Sequence, residues 1–347
     1  MESGLYYEGE YKRSWSALID NGFIVEILRD GERSIQSSAE TLKGHLVIDE
    51  GVVHILYGAF GGSKIEEVTL PASVRYIGPF AFRGSKLMNA HLNDGLVEID
   101  TEAFGRCENL LSIEIPVTML KSLGDHTFAK CTSLNSVTTR GAIEEYNYVE
   151  VEEGIFRDCS ALKTVDLSAF NIVSNRMFMN CVALEELVFP SNIEYIGEDA
   201  FVKCEGLKTI SFESDDVYFV RRCFQDCIGL EKAELPDNTE TLPALMFGGC
   251  ASLREVYVGA NTKCIDYSVF GMGLNAVQTS SLIKLYIPKT LIFIEDYAFH
   301  NAQLNDDLVI YYEGDDFDWM LVEKPEILES VDVVFECDYY NREDKNQ

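Results

Sequence analysis

Residues 189–212 read Phe189-Pro-Ser-Asn-Ile193-Glu-Tyr-Ile-Gly197-Glu-Asp-Ala-Phe201-Val-Lys-Cys204-Glu-Gly-Leu207-Lys-Thr-Ile-Ser-Phe212, and this unit decides the fold because it recurs. Its most regular residue is a phenylalanine that returns every 22 to 24 positions, with two longer steps, at Phe60, Phe82, Phe104, Phe128, Phe156, Phe178, Phe201, Phe224, Phe247, Phe270 and Phe299. In seven units a cysteine follows the phenylalanine by three residues, and a leucine follows the cysteine by three. A fixed period of this length is typical of a solenoid, in which each unit packs on its neighbours.

The end of each unit predicts a β-strand. It reads Leu-x-x-apolar-x-apolar, as in Leu184-Glu-Glu-Leu-Val-Phe189 and Leu253-Arg-Glu-Val-Tyr-Val258. This alternation with a period of two indicates a strand with one buried face. A proline often follows and ends the strand, because it cannot donate to the ladder of hydrogen bonds. We therefore predict a β-rich solenoid with a parallel sheet, built from about eleven repeats of 22–24 residues.

The combined motif resembles the leucine-rich repeat of the BspA-like family, whose units read Pro-x-x-Val-x-x-Ile-Gly-x-x-Ala-Phe-x-x-Cys-x-x-Leu-x-x-apolar-x-Leu. The resemblance covers about residues 46–312. It implies a curved solenoid with the strands in a parallel sheet on the concave side. It also implies a non-catalytic role in recognition or adhesion, since many family members lie on the surface of host-associated microbes. The present sequence departs from those members because it shows no export signal and no wall or membrane anchor.

Both ends depart from the repeat, which predicts three segments. These are an N-terminal cap at 1–43, the leucine-rich repeat solenoid at 44–312, and a C-terminal cap with an acidic tail at 313–347. Terminal repeats differ because they must cover the apolar ends of the stack. Two insertions, at 139–152 and 271–281, predict loops on one face. Asp315-Asp316-Phe317-Asp318 lacks the spacing of a calcium loop and predicts a solvated turn.

The net charge restricts the class of partner. Asp and Glu number 58 against 28 for Lys and Arg, which gives −30 at neutral pH. Such a chain repels nucleic acids and anionic lipids, and it associates faster with a basic protein. The N-terminus shows no signal peptide and the chain has no apolar stretch long enough to span a bilayer. We therefore expect a cytoplasmic protein, with a secreted or surface location as the alternative if the gene encodes more sequence.

No motif in the sequence indicates catalysis or a cofactor. The seven cysteines at one position of the repeat predict a ladder of buried thiols, because zinc sites need paired ligands and a stacked ladder suits a small apolar side chain. The five histidines lie in different units without metal-ligand or triad spacing. Phosphate-binding loops and nucleophile elbows are missing as well. The sequence therefore predicts a protein that is not an enzyme.

The side chains that flank the buried middle of each strand point away from the core and supply the candidate binding residues. Most are polar, but the later repeats add Tyr257 and Tyr286, and tyrosine is enriched in binding hot spots. The predicted partner-binding residues are Tyr257, Tyr286, Glu255, Lys284, Glu234, Lys232, Glu186 and Asp166. The alternative is that Tyr257 and Tyr286 have no role in binding and occupy a sheet face only because aromatic residues favour strands.

Three functions remain open from the sequence. The first is a scaffold that binds a protein partner on the concave face of the solenoid. The second is a secreted or surface adhesin or effector of a host-associated microbe, as the resemblance implies. The third is an acidic inhibitor of a basic protein, such as an immunity protein or a DNA mimic, as the charge indicates.

Overall fold

The computed structural model describes residues 17–20, 23–27, 33–37, 43–48, 50–142, 148–271, 281–299 and 304–338. The chain forms two compact units, Met1–Phe156 and Arg157–Gln347. Both predicted insertions lie partly outside the described residues: the structure does not describe 143–147 of the first and 272–280 of the second. The predicted boundaries of the three segments stay predictions.

The described residues of the first unit form thirteen strands: β1 (Ala17–Asp20), β2 (Phe23–Ile27), β3 (Arg33–Ser37), β4 (Lys43–Val47), β5 (Val52–Ile55), β6 (Lys64–Thr69), β7 (Tyr76–Ile77), β8 (Asn89–His91), β9 (Glu98–Ile99), β10 (Ser112–Pro116), β11 (Ser122–Leu123), β12 (Ser136–Arg140) and β13 (Glu150–Val151). Strands β1, β2 and β3 pair antiparallel. From β3 onward the pairing is parallel, so the antiparallel strands begin the sheet that β5, β7, β9, β11 and β13 continue.

In the second unit, fourteen strands lie within the part that the structure describes: β14 (Thr164–Val165), β15 (Ile172–Val173), β16 (Glu186–Phe189), β17 (Tyr195–Ile196), β18 (Thr209–Phe212), β19 (Tyr218–Phe219), β20 (Lys232–Glu234), β21 (Thr241–Leu242), β22 (Glu255–Tyr257), β23 (Cys264–Ile265), β24 (Lys284–Ile287), β25 (Phe293–Ile294), β26 (Val309–Tyr312) and β27 (Asp332–Val334). A short helix, α1 (Asp316–Leu321), and a 3₁₀ helix, Glu326–Ser330, lie between the last two strands.

Most turns of the solenoid contribute one longer and one two-residue strand. In the second unit the longer strands form one parallel sheet in the order β16-β18-β20-β22-β24-β26-β27. The short strands form the separate sheets β15-β17-β19 and β21-β23-β25. The prediction of a β-rich solenoid with parallel strands is confirmed, with about 12 turns against the eleven predicted repeats.

The recurring phenylalanines form a stacked ladder in the core of each unit. All eleven are buried. In the first unit, successive ring centroids from Phe60 to Phe156 lie 5.0, 5.1, 5.4 and 5.6 Å apart with nearly parallel planes. In the second unit, Phe201 lies 5.2 Å from Phe178 and 5.1 Å from Phe224. The spacing matches the distance between strands, so the backbone repeat itself stacks the rings.

The cysteine ladder is buried as predicted, but its thiols also make hydrogen bonds. The thiol of Cys107 donates to the carbonyl of Phe82, and that of Cys204 donates to the carbonyl of Phe178, both at 3.2 Å. The thiols of three further ladder cysteines donate in the same way to the carbonyl of the phenylalanine in the preceding repeat: Cys131, Cys227 and Cys250. Cysteine at this position therefore supplies a small apolar volume and a weak donor for a main-chain carbonyl.

Serine occupies the cysteine position in the first two repeats, and this predicts a stabilising substitution. Ser63 is fully buried, and its Oγ has no hydrogen-bond partner among the described residues. Since an unsatisfied buried hydroxyl costs stability, Ser63→Ala should raise the free energy of unfolding by about 1 kcal/mol, measured by urea denaturation. Ser85 is the control, because its Oγ lies 3.4 Å from Cys107 Sγ. A gain in Ser85→Ala equal to that in Ser63→Ala would refute the explanation.

The segment Asp315–Asp318 differs from its prediction as a solvated turn. It begins helix α1, where Asp315 is the N-cap and its Oδ1 accepts the backbone N–H of Asp318 at 2.8 Å. A carboxylate that accepts from the third residue of the helix satisfies one of the free N–H groups of the first turn. Trp319 is buried on the inner side of α1, with its ring 5.1 Å from that of Tyr312. The acidic run thus starts a helix that packs on the end of the core.

Candidate functional site

The seven-stranded sheet of the second unit carries two parallel rows of outward side chains. Its register places Glu186, Thr209, Lys232, Glu255, Lys284, Val309 and Asp332 in the first row. The second row contains Val188, Ser211, Glu234, Tyr257, Tyr286, Tyr311 and Val334. None of these side chains is buried, whereas the residues between the rows are buried or, at Val333, half-buried. The predicted alternation of inward and outward positions is therefore confirmed.

Three tyrosines of the second row form a continuous stack, which we call the tyrosine ladder: Tyr257, Tyr286 and Tyr311. The ring centroids of Tyr257 and Tyr286 lie 4.2 Å apart at an interplanar angle of 11°. Those of Tyr286 and Tyr311 lie 4.6 Å apart at 15°. Adjacent parallel strands place equivalent residues about 4.8 Å apart, so the sheet itself brings these rings into contact.

The stacking decides which part of each ring faces solvent. Tyr286 has a tyrosine on both faces, and the outer face of Tyr257 is covered by Lys232, whose Nζ lies 4.9 Å from the ring centroid. The ladder therefore presents mainly ring edges to a ligand. Such a surface suits hydrogen bonds and edge contacts with a protein better than face-to-face stacking on a flat ligand.

The charged residues around the ladder are paired with one another. Lys232 forms an ion pair with Glu234. Lys284 Nζ lies 2.8 Å from Glu255 Oε1, and the Tyr257 hydroxyl donates to Glu255 Oε2 at 3.1 Å. These pairs neutralise the charges locally, so the surface beside the ladder lacks the strong negative character of the whole chain. Because these ion pairs are partly exposed, each contributes little free energy, but together with the hydrogen bond of Tyr257 they hold the ladder in one geometry.

The same contacts shift the pKa values of the site. Burial of its hydroxyl, together with the neighbouring Tyr286, raises the pKa of Tyr257 well above its usual range. The hydrogen bond from Lys284 lowers the pKa of Glu255, and the same bond raises the pKa of Lys284. Tyr257 therefore stays neutral and the pair of Lys284 with Glu255 stays charged near neutral pH, so these three side chains form a fixed hydrogen-bonded group.

The structure brings most of the predicted binding residues together. Tyr257, Tyr286, Glu255, Lys284, Lys232 and Glu234 lie on three adjacent strands, β20, β22 and β24. Glu186 lies on the first strand of the same sheet, about 10 Å from Lys232 by strand spacing. Asp166 follows β14, a strand outside the seven-stranded sheet, and its Oδ1 accepts the backbone N–H of Ser168 at 2.9 Å. Asp166 thus belongs to a local turn, away from the ladder.

The sequence prediction missed Tyr311. The Phe-Cys-Leu spacing ends before this residue, so no repeat position marks it as a neighbour of Tyr286. However, Leu308, Ile310 and Tyr312 alternate with a period of two and are buried, as in the earlier strands. That short alternation was the signal that could have placed Tyr311 next to Tyr286.

The described residues show neither a metal site nor a membrane span. No three or more His, Cys, Asp or Glu side chains among them are grouped so that they could hold a metal ion. Neither helix in the described part of the chain is long and apolar enough to cross a bilayer.

The repeats match a family model described as the BspA type leucine-rich repeat region. The matches cover residues 53–181 and 171–305, with six copies of the model, which is well over half of the chain. The chain belongs to the BspA-type leucine-rich repeat family. Leucine-rich repeat proteins typically mediate protein–protein interaction, and their fold is generally a non-enzymatic scaffold. No curated protein matches the chain.

Solved structures of bacterial leucine-rich repeat proteins are similar to this BspA-type chain. One is a leucine-rich cell surface protein from Faecalibacterium prausnitzii, with 20% identity, a TM-score of 0.52, and coverage of 89% of this chain and 98% of that one. A second, from Bacteroides ovatus, has 20% identity and a TM-score of 0.49 over 95% and 100% of the two chains. The pneumococcal vaccine antigen PcpA has 15% identity and a TM-score of 0.49 over 94% and 100%. At these identities the likeness concerns the fold.

Proposed function

We propose that this protein is a non-enzymatic scaffold that binds a partner protein across the tyrosine ladder of its seven-stranded sheet. The observation that carries the proposal is the stack Tyr257, Tyr286 and Tyr311, whose side chains are only half-buried on a regular sheet. Tyrosine contributes large contact area and a hydrogen-bonding group at little cost in side-chain entropy, which is why it is common in binding hot spots.

Rigidity supports the same proposal. Each ladder tyrosine is held by its stacked neighbour, and Tyr257 is also held by its hydrogen bond to Glu255. A surface ordered before the encounter loses little conformational freedom on binding, so moderate contacts suffice for useful affinity. The paired charges beside the ladder would remain paired under a partner, which avoids burying a lone charge.

The chemistry of the partner is the second part of the proposal. The chain carries an excess of 30 negative charges, and this field attracts a basic protein and accelerates its association. We also propose a cytoplasmic location, which suits the ten free cysteines. A surface role is the second candidate, because the similar protein from F. prausnitzii is described as a cell surface protein.

The test compares the ladder with a matched pair of tyrosines. A partner is captured from the native organism and its Kd is measured for wild type, for Tyr257→Ala/Tyr286→Ala and for Tyr195→Ala/Tyr218→Ala. The control pair is also stacked, at 5.8 Å, but lies on the short-strand sheet of the same unit. We expect the ladder variant to bind at least about 30-fold more weakly, as loss of hot-spot residues predicts, and the control to bind like wild type. Equal affinities for all three proteins would exclude the ladder as the binding site.

Salt distinguishes the candidate functions. Binding by a preorganised ladder should persist at high salt, whereas an acidic inhibitor that imitates DNA should lose affinity steeply. Capture of glycans or whole cells, with no protein partner at either salt concentration, would favour the surface role.

A further inference from the structure

Helix α1 presents its apolar face to solvent at the C-terminal end of the second unit. Phe317, Met320 and Leu321 are 64%, 75% and 68% exposed, and their spacing of three and four residues places them on one side of the helix. Ile327 in the following 3₁₀ helix is also exposed. Solvent-facing helices usually carry polar residues on this side, and clustered apolar exposure marks an interaction surface. We call these four residues the cap surface.

The core contacts of α1 fix this orientation. Trp319 is buried on the opposite side, against Tyr312. Lys324 Nζ donates to the carbonyls of Trp319 and Val322 at 2.8 and 3.2 Å and lies 4.9 Å from the Trp319 ring centroid. The end of the helix is therefore tied to the core, and the apolar face cannot be hidden by a simple rotation of the helix.

The charges around the cap surface are almost all negative. Residues 313–338 contain ten carboxylates and one cation, Lys324, which is turned toward the helix carbonyls. Asp316, Glu323 and Glu326 are exposed and form no ion pair within the described part of the chain. An apolar strip with a rim of unpaired carboxylates is complementary to an amphipathic segment that carries Lys or Arg beside its own apolar stripe.

We infer that the cap surface is a second docking site, which binds a cationic amphipathic helix of a partner protein. The charge excludes two other occupants of an apolar patch. A second copy of this chain that docked through the same surface would bring its own carboxylates, among them Asp316, Glu323 and Glu326, close to these, and anionic lipid would be repelled in the same way. This site is separate from the tyrosine ladder and does not rest on the function proposed for it.

The test uses a synthetic helix as the probe. A labelled lysine–leucine peptide with its leucines on one helical face is titrated with the full chain by fluorescence anisotropy, next to a scrambled peptide of identical composition. We expect micromolar affinity for the amphipathic peptide and at least about tenfold weaker binding of the scrambled one, because general charge attraction acts on both peptides equally.

Two variants locate the binding. Phe317→Ser/Met320→Ser/Leu321→Ser should weaken binding of the amphipathic peptide at least about tenfold, since apolar contact drives the docking. Met88→Ser/Met119→Ser, which changes two exposed apolar residues elsewhere, should bind it like wild type. Circular dichroism confirms that both variants are folded. Equal binding of the two peptides, unchanged binding by the triple variant, or a dimer in sedimentation that the triple variant abolishes would each overturn the inference.

Discussion

The protein should lose stability steeply above about pH 9, because buried thiols stay protonated in the folded chain. Burial raises the pKa of Cys107 to about 11. It also raises the pKa of four further buried cysteines well above the usual value, in Cys181, Cys204, Cys223 and Cys250. In the unfolded chain the same thiols ionise with a pKa of about 8.5. Below that pH the two states bind the same protons, and the stability is complete.

The sign follows from the number of bound protons. Between about pH 8.5 and the raised pKa values the folded chain holds protons that the unfolded chain has lost, so unfolding becomes easier as the pH rises. Each of the five thiols lowers the free energy of unfolding by about 1 kcal/mol per pH unit in this range, and all five act in the same direction.

Urea denaturation at about pH 8 and about pH 10 measures the effect. Cys181→Ala/Cys204→Ala removes two of the five thiols and should reduce the loss of stability per pH unit by about two fifths. Leu207→Val is the control, because it weakens the same buried core without removing a thiol. If the double cysteine variant shows the same pH dependence as Leu207→Val, the assignment of the alkaline instability to the thiols is wrong.

Phe201→Ala should lower the free energy of unfolding by about 3–5 kcal/mol. The ring is fully buried and stacks between Phe178 and Phe224, with an edge contact to Phe189 at 5.6 Å. Removal of the Phe201 ring leaves a cavity in the middle of the phenylalanine ladder. The neighbouring repeats cannot close this cavity without breaking the pairing of their strands. Urea denaturation followed by circular dichroism measures the loss.

The control for this variant is Tyr218→Ala. Tyr218 is also aromatic and stacked, on Tyr195, but 67% of it is exposed. Its removal should change the free energy of unfolding by less than about 0.5 kcal/mol. Hydrogen exchange adds a second measurement, because each repeat of a solenoid depends for its stability mainly on its neighbours. Amide exchange in Phe201→Ala should therefore accelerate first in the adjacent repeats. A loss below about 1 kcal/mol would show that the phenylalanine ladder does not hold the stack together.

The sequence was sufficient for the fold because its signal is repeated. Phe201, Cys204 and Leu207 mark core positions that recur in register, so one unit predicts the others. The bonds of the thiols to main-chain carbonyls could not be predicted, since they depend on which carbonyl of the preceding unit faces the sulfur. Helix α1 was missed even though Asp315 and Asp318 have the spacing of an N-cap interaction.

The candidate site was predictable only in part. Alternation along the strands gave the outward positions, and the repeat gave Tyr257 and Tyr286 as neighbours. The third tyrosine was missed, because Tyr311 lies where the spacing of the repeat ends. The pairing of Lys284 with Glu255 follows from the register, but the position of Lys232 over the Tyr257 ring depends on side-chain packing. Asp166 was placed with the others from spacing alone, and its turn lies outside the sheet.

Site-specific photocrosslinking tests the proposed function of the tyrosine ladder most directly. A benzoylphenylalanine replaces Tyr286 in one protein and Tyr218 in another, and both are irradiated in the native organism before mass spectrometry of the adducts. The ladder position should give a discrete adduct with one partner protein, and the exposed Tyr218 position on the short-strand sheet should not. An adduct of the same protein in equal yield from both positions, or no protein adduct from position 286, would contradict the assignment of the binding site to the ladder.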